Sequence, residues 1–157
     1  MTPPRSCVPF ETPAGTVYIA SCNGKITYIG FEKGPSDRTA DPVIVTAEEQ
    51  LTEYFEGKRK DFTVPFAVTG SGFQKDVCEA LMKIPYGETR TYGEIAEAAG
   101  RPAAVRAVAS AVGRNPISII IPCHRVIGSD GKMRGYAGGI PFKEHLLETE
   151  GWRPRKR

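Results

Sequence analysis

Thr91-Tyr92-Gly93-Glu94-Ile95-Ala96-Glu97-Ala98-Ala99-Gly100-Arg101-Pro102-Ala103-Ala104-Val105-Arg106-Ala107-Val108-Ala109-Ser110-Ala111-Val112 reads as two short helices joined by a tight turn. Thr91 and Glu94 have capping-box spacing, so a helix should start there and run through Ala99. Gly100 breaks it. Pro102 suits a first helical position and predicts a second helix over Pro102–Val112. The pair is a helix-turn-helix candidate. The second helix is almost without bulk, because Ala103, Ala104, Ala107, Ala109 and Ala111 dominate it. A small-residue face permits close approach. It fits tight packing against another helix, and it also fits insertion into a nucleic-acid groove, with Arg106 as the one long cation in mid-helix.

Outward from this centre the chain divides in two. Ser71–Gln74 is another capping box, and Phe73, Val77, Ala80, Leu81 and Ile84 form a buried helical stripe that ends before Pro85. Pro85-Tyr86-Gly87 is a turn. Before residue 70 the pattern changes to strands. Thr16–Cys22 and Lys25–Phe31 alternate around Asn23-Gly24, a type I′ hairpin signal. Thr46–Glu49 has capping-box spacing, Ala47, Leu51, Tyr54 and Phe55 then share one face, and Gly57 ends that helix. Asp61–Val68 is extended. The expected fold is therefore α/β (α+β). A small strand-rich α/β unit over residues 1–69, without a chemical motif, precedes a mostly helical unit over residues 70–157.

Composition limits the function classes. The chain has 157 residues, 40% hydrophobic and 25% charged, which supports a real core and excludes disorder as the main state. No apolar run approaches the ~18 residues of a membrane helix, so no membrane partner is expected. The opening MTPPRSCVPF lacks a signal-peptide layout. Cys7, Cys22, Cys78 and Cys123 are widely and irregularly spaced, as free thiols in a reducing compartment would be. The expected location is cytoplasmic, with nucleoid association, or nuclear in a eukaryote. Residues 1–69 carry a net charge of −2 and residues 70–157 a net of +5. A basic second half suits a polyanionic partner, and the tail Arg153-Pro154-Arg155-Lys156-Arg157 adds non-specific attraction.

Chemistry concentrates at Asn115-Pro116-Ile117-Ser118-Ile119-Ile120-Ile121-Pro122-Cys123-His124-Arg125. The isoleucine run suits a buried extended strand, and Pro122 fixes the direction in which Cys123 leaves it. Sulfur attacks as thiolate, and an adjacent imidazole can take the thiol proton directly or through water. The pair fits a nucleophile with its base, and equally a structural Cys beside a surface His. Gly128, Gly131, Gly135, Gly138 and Gly139 mark a loop folded closely over something, with Tyr136 as a wall or anchor. A last helix spans about Phe142–Glu150, with Leu146 and Leu147 buried. Glu150 could orient His124 in triad fashion or be a solvated helix-end charge. Zinc is disfavoured, since only His124 and His145 exist and no CxxC occurs.

Pro122-Cys123-His124-Arg125-Val126-Ile127-Gly128 resembles the active-site signature of the O6-alkylguanine-DNA alkyltransferases, the methylated-DNA–protein-cysteine methyltransferases. The resemblance runs over Phe73–Gly151. It includes Ile84–Thr89, Thr91-Tyr92-Gly93, Arg106-Ala107-Val108, Asn115-Pro116, Gly135–Gly139, Lys143, Leu146-Leu147 and Glu150-Gly151. Thr12–Gly15 matches more weakly. The resemblance implies a ribonuclease H-like N-terminal unit and single-turnover repair of O6-alkylguanine, with O4-alkylthymine as a further candidate. The base is flipped from double-stranded DNA, and the partner is alkylated DNA bound through its minor groove by a monomer with no cofactor. It implies Cys123 as nucleophile, His124 as water-mediated base, Glu150 as its support, Asn115 as brace and Tyr92 as donor to guanine N3. The Cys123 and Val126 carbonyls would accept from the exocyclic amine, and the Ala137 N–H would meet O6. Val112 and Tyr136 complete the pocket. Arg106, with Ala103, Ala107, Arg114 and Arg125, would meet DNA, Arg106 filling the vacated stack.

Four positions depart from the family pattern. Cys78 replaces an aromatic, Ala109 a glycine, Arg134 a small residue, and Ala137 lacks a hydroxyl found in some members. The zinc ligands of some members are not matched beyond Cys22, so no metal is expected. Two other readings are a lesion-binding relative without transfer, which would lack Cys123, and a Cys-His-Glu hydrolase, which would have no use for Arg106.

Overall fold

Asn23 and Gly24 take φ angles of 52° and 75°, the pair of left-handed residues that a type I′ turn demands. The hairpin they close joins β2 (Gly15–Cys22) to β3 (Lys25–Gly30), preceded by β1 (Ser6–Thr12). The order is β1-β2-β3, antiparallel throughout. β1 is not predicted from the sequence, because Pro9 interrupts its pattern. It lies at the sheet edge, where a missing N–H is tolerated. The computed structural model describes residues 6–34, 41–133 and 135–152. Arg134 and the basic tail from Arg153 lie outside them.

Helix α1 (Pro42–Phe55) begins four residues before the expected Thr46. The Asp41 side chain accepts from the Val43 N–H at 3.2 Å, and proline at the helix start has no N–H to leave unpaired. Ala47, Leu51 and Tyr54 are fully buried beneath it, as their spacing predicts. Asp61–Val68 forms no strand. It touches β3 through a single bridge, Ile26 to Phe66. Helix α2 (Gly72–Met82) starts at Ser71, whose hydroxyl caps the Gln74 N–H at 3.1 Å. The Gln74 side chain does not return to its own cap. It reaches across to the Ala111 carbonyl at 3.0 Å and so ties α2 to the second helix of the pair.

The Thr91 capping box forms with both of its bonds and opens α3 (Tyr92–Ala98), after the two-residue β4 (Arg90–Thr91). The second helix, α4 (Val105–Gly113), starts later than Pro102. Arg101-Pro102-Ala103-Ala104 closes instead as a turn, with Ala104 N–H on the Arg101 carbonyl at 2.9 Å. The fixed φ of proline suits the second position of a turn as well as a first helical position. Ala103 is therefore exposed in the connection, not on the helix.

The isoleucine run is buried but is not a strand. Ile29 of β3 bridges to Ile117, with Ile29 N–H on the Pro116 carbonyl and Ser118 N–H on the Ile29 carbonyl. The chain then coils, and Ile119 takes φ 73°, a strained conformation for a β-branched residue. A 3₁₀ turn over Cys123–Arg125 leads into β5 (Val126–Ile127), which pairs in parallel with β4. Helix α5 (Ile140–Thr149) begins two residues before Phe142. Gly138 precedes it, where an added Cβ would lie 2.5 Å from the Phe31 ring and would force that ring to move. One continuous core joins Val17, Ile19 and Ile29 of the sheet to Leu81, Val108, Ile121 and Leu146 of the helical part. No helix among the described residues is long and apolar enough to cross a membrane.

Candidate active site

Asn115 builds the site by closing the isoleucine coil. Its Nδ2 donates to the Ile121 carbonyl at 2.7 Å, and its Oδ1 accepts from the Ile117 N–H at 3.0 Å. One side chain thus holds both ends of the segment that delivers Cys123. The parallel pair β4–β5 then sets Tyr92, the first residue of α3, beside the Cys123 turn.

Cys123 is 7% exposed and lines a cavity of about 630 Å³. Burial pushes its thiol up, against an Asn115 hydrogen bond and the charge of Lys143. His124 is fully buried, and burial pushes its imidazole down, against the hydrogen bond and charge of Glu150. Both directions favour a resting pair of neutral thiol and neutral imidazole over a preformed thiolate–imidazolium pair. His124 Nε2 lies 2.6 Å from Glu150 Oε2, while Nδ1 has no protein partner among the described residues. That free nitrogen is the one able to take a proton.

Glu150 is the hub of a buried network. Oε2 meets His124 Nε2, accepts from Tyr54 Oη at 2.6 Å, and accepts from Arg125 Nη2 at 3.1 Å. Oε1 accepts from Arg125 Nε at 2.8 Å and from Gly87 N–H at 3.1 Å. Burial alone would raise its carboxyl. The bonds and charges of His124 and Arg125 outweigh that and hold it down at about 2. The solvated helix-end alternative is thereby removed.

The structure brings together Cys123, Tyr92, Arg106, Val112, Asn115, Tyr136 and Ala137 on the cavity wall. Arg106 and Ala107 are exposed on α4, and Arg114 is exposed at its end with Nη1 on Ser110 Oγ. Besides Ala103, which lies in the connection before α4, two residues stand elsewhere than expected. Arg125 is not on a DNA-facing surface. It is 7% exposed, its guanidinium forks onto Glu150, and Nη1 donates to the Ile84 carbonyl at 2.6 Å. Val126 is fully buried off the cavity wall, and its carbonyl accepts from Lys143 Nζ at 2.6 Å. Lys143 was not among the expected site residues. It is 1% exposed, burial lowers it to about 8, and Cys123 opposes that shift. Its position on the buried stripe with Leu146, Leu147 and Glu150 was a readable signal: a lysine on an apolar face needs a partner. Val105, Ala109, Gly113, Ser118 and Gly135 also line the cavity and carry no chemical signature of their own. Cys78 is buried in α2 beside Gln74, whose Nε2 lies 3.7 Å from its sulfur.

The family model for the DNA-binding domain of 6-O-methylguanine DNA methyltransferase matches residues 72–152. The model for the ribonuclease-like domain of the same protein matches residues 9–68. The chain belongs to the 6-O-methylguanine DNA methyltransferase family. Among curated members, the methylated-DNA–protein-cysteine methyltransferase of Methanosarcina acetivorans is 49% identical over 149 residues, covering 90% of this chain and 96% of that protein. The Mycobacterium tuberculosis member is 45% identical over 146 residues, with coverages of 89% and 88%. The solved structure of Mycobacterium tuberculosis OGT in complex with DNA superposes with a TM-score of 0.82 at 42% identity, covering 93% of this chain and 91% of that one. Membership in the 6-O-methylguanine DNA methyltransferase family accords with the fold class, a sheet-bearing first unit and a helical second unit with a helix-turn-helix.

Proposed function

We propose that this chain is a methylated-DNA–protein-cysteine methyltransferase, a single-use repair protein that takes the alkyl group from O6-alkylguanine in DNA onto Cys123. The observation that carries the reading is the buried Cys123 lining the cavity, with His124 bound to Glu150 through one nitrogen and free at the other. A flipped base enters past Arg106 and rests among Tyr92, Val112, Tyr136 and Ala137. Cys123 Sγ attacks the alkyl carbon in line with the carbon–O6 bond. The sulfur–carbon bond forms as the carbon–oxygen bond breaks, and the thiol proton passes through a water to His124 Nδ1. Charge left on the purine is met by the Tyr92 hydroxyl at N3 and by the Ala137 N–H at O6. The thioether is stable, so the protein acts once. No cofactor takes part.

The unit over residues 70–157 carries DNA binding and transfer, and the unit over residues 1–69 supports it. The protein works as a monomer in the cytoplasm, or in the nucleus of a eukaryote, with α4 in the minor groove. Arg125 has no part in DNA contact, because Glu150 holds it inside. Intact-mass measurement after incubation with a duplex holding O6-methylguanine tests the reading. A stoichiometric gain of one methyl, mapped to Cys123, is expected. A mass unchanged at steady state, as from a hydrolase that turns over, would refute it.

The role of Arg106 separates base flipping from plain attraction. Its planar guanidinium should fill the vacated stack, for which lysine is a poor substitute. Arg106→Ala should then slow repair of duplex DNA by about tenfold or more, the unstacking cost being a few kcal/mol. Reaction with free O6-alkylguanine base should change little. A lesion opposite a gap or weak mismatch should recover part of the loss. Equal losses on base and duplex, or full rescue by Arg106→Lys, would reduce Arg106 to a phosphate contact.

A further inference from the structure

Tyr54 lies on α1, in the unit that carries no chemical motif, yet its hydroxyl ends inside the catalytic network. The side chain is fully buried, and Oη donates to Glu150 Oε2 at 2.6 Å. That is the same oxygen that holds His124 Nε2, also at 2.6 Å. A buried tyrosine needs one partner for its O–H. The backbone offers one nearby in the Leu146 carbonyl, but only at 3.5 Å. The short bond goes to the carboxylate. We propose that Tyr54 is a positioning residue of alkyl transfer: its hydroxyl shares the Glu150 oxygen that holds His124, and so sets how strongly that carboxylate supports the imidazole as proton acceptor.

The proposal rests on the alkyl-transfer reading above and deepens it. A carboxylate oxygen has about two lone-pair sites, and Oε2 serves three donors. Each donor withdraws electron density and weakens the pull of Oε2 on the others. The groups acting on His124 come from every element around it. Glu150 and Lys143 belong to α5 and its end, Arg125 to the 3₁₀ turn, and Tyr54 acts from α1 through Glu150. Tyr86 lies near the same carboxylate but donates its own hydroxyl to the Thr149 carbonyl at 3.1 Å. Apart from His124 itself, Tyr54 is therefore the neutral side-chain donor on Glu150 among the described residues. Burial and the Glu150 charge push its phenol well above its ordinary range, so it remains a donor across the working pH range. Together with the Ile29–Ile117 bridge, this bond gives the first unit two holds on the reactive segment, one on the coil and one on the base.

The test uses the full chain and a duplex with O6-methylguanine, reading the rate of methylation of Cys123 against pH. Tyr54→Phe keeps the ring contacts with Phe55 and Phe62, at centroid distances of 5.3 and 5.6 Å, and removes only the hydroxyl. Glu150 then pulls harder on His124, the imidazole pKa rises, and less neutral base is present in acid. The acid limb of the pH–rate profile should move up by about half a unit to one unit, so that the rate below the limb falls about three- to tenfold. A fluorinated tyrosine at position 54, a more acidic phenol and stronger donor, should move the limb the other way. Opposite shifts support the proposal. Superimposable profiles, or a uniform rate loss with the limb unmoved, overturn it and leave the alkyl-transfer reading intact. If the phenylalanine variant does not fold, the fluorinated protein decides alone, an unmoved or raised limb overturning the proposal. A parent protein that gains no methyl on Cys123 overturns the alkyl-transfer reading itself.

Discussion

Cys123→Ser is expected to lose every measurable trace of alkyl transfer while binding DNA as the parent does. The reasoning starts from the resting state of the thiol. Burial holds Cys123 protonated, with Asn115 and Lys143 as the opposing influences. The proton must therefore leave as the sulfur attacks, and in the proposed mechanism it passes to His124, itself kept neutral by burial. A hydroxyl gives up its proton far less readily than a thiol, and its oxygen is a weaker nucleophile toward carbon. The base that serves the thiol cannot make up that difference. DNA affinity should persist, since the cavity mouth and the exposed face of α4 do not depend on sulfur. Intact mass after incubation with methylated duplex, together with a binding titration on the same duplex, checks both halves. The other thiols are controls. Cys7 and Cys22 line a separate groove on the sheet, and Cys78 is buried in α2. A methyl mapped to any of these in the parent would show that the nucleophile had been misassigned.

Local rules of the chain were readable wherever one physical cause acted alone. Asn23-Gly24 demanded its turn, Thr91 and Glu94 satisfied each other across one helical turn, and Tyr54 fell on the buried side of α1. The reading failed where one residue type serves two geometries. Pro102 suits a turn as well as a helix start, and the loop took the turn. Pro9 hid an edge strand. The isoleucines announced burial correctly, but burial does not fix backbone direction. The coil depends on Asn115 reaching over six residues to the Ile121 carbonyl, which no periodicity records. At the site, Cys123 and His124 were legible as neighbours in sequence. Glu150 was expected beside His124, but that Arg125 and Tyr54 share its carboxylate was not legible, because they meet from separate elements. Arg125 shows the limit most clearly. An arginine beside the nucleophile of a DNA-binding protein invites a phosphate contact, and only the fold shows that Glu150 has taken it.

Glu150→Gln should damage stability and rate together, because one carboxylate serves both. Glutamine matches the shape but removes the charge that balances Arg125, and its amide N–H₂ faces donors where an acceptor is needed. Depriving a buried cation of its partner costs about 3–5 kcal/mol. The depressed pKa gives a similar size: a carboxyl held at about 2 in the folded chain, against an ordinary 4.5, corresponds to about 3 kcal/mol of stabilisation at neutral pH. The sign follows from the direction of that shift. A depressed acid stabilises the fold fully above its unfolded pKa and loses that contribution as pH falls toward the folded value. The gap in stability between parent and variant should therefore be full at pH 7. It should begin to narrow near 4.5 and approach its end near 2. His124 is buried neutral in both proteins, and Glu150 raises its imidazole in the parent alone, so the narrowing gap reads Glu150 together with its hold on His124. Urea unfolding of each at pH 7, 4 and 3 measures it, and a gap that stays constant would show that the carboxylate carries no net charge effect. On the kinetic side, loss of the anion weakens support for the imidazolium formed when His124 takes the thiol proton. Transfer should slow by about 10²-fold at neutral pH, with the apparent pKa of Cys123 raised. An unchanged pH–rate profile in a folded variant would separate the two roles, leaving Glu150 as a structural partner of Arg125 alone.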